Sequence, residues 1–116
     1  MKNDSTLNYK EEARILKELL KNKKDNQDSY DKIQGIWMST IDSLSTIEFD
    51  GLTKVDYYSG KYIDESKIKI DKDYLYCKPL KDNFDYKYEI MTLSDTNLTL
   101  LFLPRGNLLT YTKHKR

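Results

Sequence analysis

The sequence predicts a mainly β protein: a small antiparallel up-and-down β-barrel of about eight strands preceded by one amphipathic N-terminal helix. Three observations carry that expectation. From Ile33 onward the apolar residues recur with a period of two, turn-forming residues interrupt the chain every few positions, and no helix-periodic stretch separates the runs. Strands joined by local turns form a meander, and closing it into a barrel removes the exposed edges. At 116 residues the chain has room for one core. Residues 1–32 read as helix and polar linker, residues 33–116 as the barrel.

The helix comes first. Asn8-Tyr9-Lys10-Glu11 has the form of a capping box, and Tyr9, Ala13, Leu16 and Leu20 fall on one stripe with Ile15 and Leu19 beside it, so the helix runs to about Lys21. So short a helix needs a surface to dock on, whether its own barrel, a partner or a second copy. Asn22 to Ser29 contains no apolar residue and reads as linker. In the first strand Ile36, Met38 and Thr40 share a face. Thr46-Ile47-Glu48-Phe49 is the second strand and ends at Asp50-Gly51, a tight-turn signal. Val55 to Tyr58 follows, closed by Ser59-Gly60, and Lys61-Tyr62-Ile63 opens a fourth strand. Lys67 to Ile70 and Tyr74 to Cys77 alternate on either side of Asp71-Lys72-Asp73 and read as a hairpin, after which Pro79 interrupts pairing. The last three strands are Tyr86 to Leu93, Leu98 to Leu103 and Leu108 to Lys113.

Composition excludes several classes of function. Residues 1–32 carry eight basic and seven acidic side chains and the remainder twelve of each, so neither part is built for nucleic acid or an anionic membrane. The longest apolar run, Leu100 to Leu103, is far short of the roughly 20 residues that span a bilayer. The start of the sequence does not lead into a signal peptide. Seventeen Lys against three Arg, ten Tyr and a single Ala resemble the usage of an A/T-rich bacterial genome. The expected location is bacterial: the cytoplasm, or the periplasm or a lipid anchor with the signal removed.

Gly35-Ile36-Trp37 at the start of the first strand, Phe49-Asp50-Gly51, Gly60-Lys61-Tyr62 and the final Leu109-Thr110-Tyr111 together resemble the small bacterial lipocalin-like domains, over about residues 33–114. The resemblance implies that Trp37, with Gly35 beside it, packs as a structural plug across the closed barrel end. It also implies a basic side chain over the ring, with Lys113 or Arg116 as candidates, although no arginine lies within the last strand. Ligand-carrying lipocalins have longer chains. Eight strands of five to seven residues sit at the boundary between a packed interior and a cup for one ligand.

No catalytic or metal site assembles from the sequence. His114 is the single histidine and Cys77 the single cysteine, too few for a zinc site; a Ser-His-Asp or Cys-His constellation would need His114 to fold back from the C-terminal tail, and Cys77 reads as a buried small hydrophobe. Asp64-Glu65, Asp71/Asp73 and Asp82/Asp85 lack the spacing of a calcium loop. No Gly-rich phosphate loop occurs, and no cofactor is implied. The tyrosines stand out. Tyr57/Tyr58, Tyr74/Tyr76 and Tyr86/Tyr88 come in pairs, and residues two apart on a strand share a face. Facing outward they form a partner-binding patch, facing inward they rim the barrel mouth, and strand propensity alone also favours them. The expected function is a non-enzymatic binding module for a protein partner, of which an immunity protein neutralising a cognate bacterial toxin is one case. The alternative is a small apolar ligand in the barrel cup.

Overall fold

The computed structural model describes residues 10–17 and 26–114. The Asn8 cap and the helix end near Lys21 lie outside them. Residues 10–17 are helical (α1) and all exposed, Ile15 and Leu16 included. A second, shorter helix follows, α2 (Gln27–Ile33). Gln27 to Ser29, assigned to linker from the sequence, therefore belong to a helix. Seven residues are too few to show a period, and this helix is held by what it docks on.

Eight strands follow: β1 (Gly35–Ser39), β2 (Ser45–Asp50), β3 (Thr53–Tyr58), β4 (Lys61–Asp71), β5 (Tyr74–Pro79), β6 (Tyr86–Leu93), β7 (Asn97–Phe102) and β8 (Asn107–Lys113). Each pairs antiparallel with the next and β8 returns to β1, which closes the barrel. The expected mainly β, closed antiparallel architecture is thus present. The two segments expected around Lys61–Ile63 and Lys67–Ile70 are one continuous strand. The period fades between them because Asp64 and Ser66 face inward, opposite Asp56 and Lys54 of β3, so polar residues occupy core-facing positions. The extra residue at the β3–β4 bulge beside Tyr57 further blurs the alternation.

Because the strands run up and down, connections alternate between the two ends. α2 and the β2–β3, β4–β5 and β6–β7 turns lie at one end; the other four connections form a rim at the opposite end. The α2 end is tightly tied. Ile33 is fully buried, the Tyr30 hydroxyl accepts the Ile70 N–H at 2.8 Å, and the Asn26 side-chain oxygen accepts the Lys72 N–H at 2.8 Å. The Gln34 side chain accepts from Gly51 N at 2.6 Å and donates to Gly51 O at 3.1 Å, which clips the β2–β3 turn to the helix. Ile33, Trp37, Phe49, Ile70, Leu75, Leu98 and Leu100 are each at most 1% exposed. Toward the rim the inward row turns polar and aromatic, with Asp56, Asp64, Tyr86 and Phe102.

Candidate functional site: a charged barrel interior and an apolar rim

At the α2 end Trp37 is fully buried and its indole N–H donates to the Ile33 carbonyl at 2.8 Å. The Lys113 ammonium lies 4.4 Å from the ring centroid and donates to the Gln34 carbonyl. Partial burial lowers the Lys113 pKa, with Asp95 acting against that. Gly35 explains the local sequence. Its φ is +112°, and a Cβ there would stand 3.0 Å from the Lys113 Nζ, so a side chain at 35 would meet the cation that covers Trp37. Of the two basic candidates, Lys113 occupies this position; Arg116 is outside the described residues.

The middle of the barrel holds a group that the sequence reading missed. Lys54 is 7% exposed and faces inward, and its ammonium is 2.6 Å from the Asp56 carboxylate. Burial pulls the Lys54 pKa down most strongly. The negative charges of Cys77, Asp56 and Tyr88, with the Asp56 hydrogen bond, outweigh burial and leave the pKa raised. Burial pushes the Cys77 thiol and the Tyr88 hydroxyl each up to about 12, against the pull of Lys54. Both are therefore protonated at neutral pH, and Asp56 is the anion that balances the lysine there. Tyr111 is raised by burial too. A protonated, buried thiol is a poor nucleophile. The signal in the sequence was Lys54-Val55-Asp56: opposite charges two apart share a strand face, and that face is the inner one.

The register divides the tyrosine pairs. Tyr86 stands opposite Cys77 and Tyr88 opposite Leu75, on the inner face, where both rings meet Phe102 at 5.8 and 5.2 Å. Tyr74 and Tyr76 lie on the outer face, opposite Glu89 and Lys87, and the Lys87 ammonium sits 4.3 Å from the Tyr74 ring and 5.7 Å from that of Tyr76. Tyr57 faces outward beside Tyr62, and Tyr58 is at the rim, bonded to Asp42 with its pKa raised by that contact. The four tyrosines of β5 and β6 are thus split between the two faces of the wall.

The rim is strongly apolar. The β1–β2 loop exposes Ile41 and Leu44; the β3–β4 hairpin exposes Tyr58, Tyr62 and Ile63. The β5–β6 connection adds Leu80 and Phe84, and the β7–β8 hairpin adds Leu103 and Leu108, so all four connections contribute. Toward the α2 end Leu52 and Met91, the latter near the end of β6, are the exposed counterparts.

Among the described residues no group of three or more His, Cys, Asp or Glu is placed to hold a metal, and no helix is long and apolar enough to cross a membrane. His114 is exposed. No protein-family model, no curated protein and no solved structure matches this chain.

Proposed function

We propose that the protein is a non-enzymatic binding module, a lipocalin-like barrel that recognises a protein partner through its rim, with an immunity protein against a cognate toxin as one form of that role. The observation that carries this reading is the apolar rim. Nine large apolar or tyrosine side chains, each at least a third exposed, gather where four connections meet, whereas the opposite end is sealed by α2. Large exposed apolar patches mark interaction sites. The stacking of Lys113 on Trp37 supports the lipocalin-like part of the reading. A purely apolar guest in the cup is the weaker alternative, since it would have to displace solvent from the Lys54–Asp56 pair without offering it a polar partner.

The test is site-specific photocrosslinking in the source cells. A photoreactive residue replacing Phe84 is expected to trap one defined protein, and the same residue at Leu52 is expected to trap none. Equal capture from both ends, or none from the rim, removes the proposal. Fluorescence of Trp37 titrated with apolar ligands tests the alternative, for which a saturable shift is required.

A further inference from the structure

We draw no further inference here: the strongest candidate, the uncharged outer wall of β7, β8 and β1 formed by Thr99, Leu101, Thr110, Thr112, Ile36 and Met38, is a sheet face, and nothing in the structure shows what covers it.

Discussion

Replacing Asp56 with asparagine perturbs the interior most directly, because it removes the carboxylate that balances a lysine almost wholly out of water. At 2.6 Å and an effective dielectric of about 20, the attraction is about 6 kcal/mol, most of it offset by desolvating both ions. Removing one partner of a fully buried pair costs about 3–5 kcal/mol, since the remaining charge stays buried and unbalanced. The Asp56 side chain is 32% exposed, so water can take up part of the vacated role. The expected loss is therefore about 2–3 kcal/mol, near the low end. For a domain of this size that lowers Tm by about 10–20 °C. Urea and thermal unfolding followed through Trp37, the single tryptophan, measure it. Lys54→Met should cost less, because Asp56 can turn toward solvent. The double variant, with neither charge left inside, should return to within about 1 kcal/mol of the parent. An Asp56→Asn protein within about 0.5 kcal/mol of the parent, or a double variant no better than the single, would refute the buried pair.

Three further outcomes are expected. Gly35→Ala places a side chain at φ +112° and against Lys113; a loss of about 1–3 kcal/mol, with a changed Trp37 emission as the cation is displaced, should appear in the same unfolding assay. Tyr30→Phe leaves the Ile70 N–H without its acceptor and should cost about 1–3 kcal/mol; no loss in urea unfolding would mean that α2 does not seal the barrel. Stability should be level up to about pH 9 and then fall, because the unfolded chain releases the Cys77 and Tyr88 protons near 9.0 and 10.0 while the fold keeps both to about 12. The unfolded state then binds fewer protons, which lowers stability by up to about 1.4 kcal/mol per pH unit per group. Lys54, raised in the fold, adds to the fall above about 10.5. Urea midpoints across pH check this, and a midpoint unchanged to pH 11 would exclude buried, protonated Cys77 and Tyr88.

Strands with one polar and one apolar face, or bounded by clear turn signals, were legible in the sequence. β6 has the bounds the sequence suggests, although a bulge at Met91 breaks its alternation, and Ser59-Gly60, both at positive φ, close the β3–β4 hairpin as the dipeptide suggests. What was not legible follows from one physical fact: the inside of this barrel is not apolar throughout. With Lys54 and Asp56 turned inward, the apolar Val55 and Tyr57 face outward, the reverse of the usual reading of such a strand. With Asp64 and Ser66 inward, β4 loses its period. The tyrosine pairs look alike in sequence, yet Tyr74/Tyr76 and Tyr86/Tyr88 fall on opposite faces, because strand register rather than residue type assigns the face. α2 left no trace because its two apolar anchors, Tyr30 and Ile33, do not make a pattern.

The contrast between the two barrel ends bears on why the rim is apolar. At the α2 end, Leu52 and Met91 apart, the large apolar side chains are covered, and Tyr30, Asn26 and Gln34 satisfy backbone groups of the adjoining strands and turns. At the rim the same kinds of side chain are left in water, where they add little to folding, because burial and not presence is what stabilises. Ile41 is 79% exposed and Leu80 57%, so Ile41→Ser and Leu80→Ser should change folding stability by no more than about 0.5 kcal/mol. If the rim serves a partner, the same two substitutions should abolish photocrosslinking from position 84 while urea unfolding stays unchanged. A loss of 2 kcal/mol or more would show instead that these side chains pack in the folded barrel, and the rim would then be part of the core.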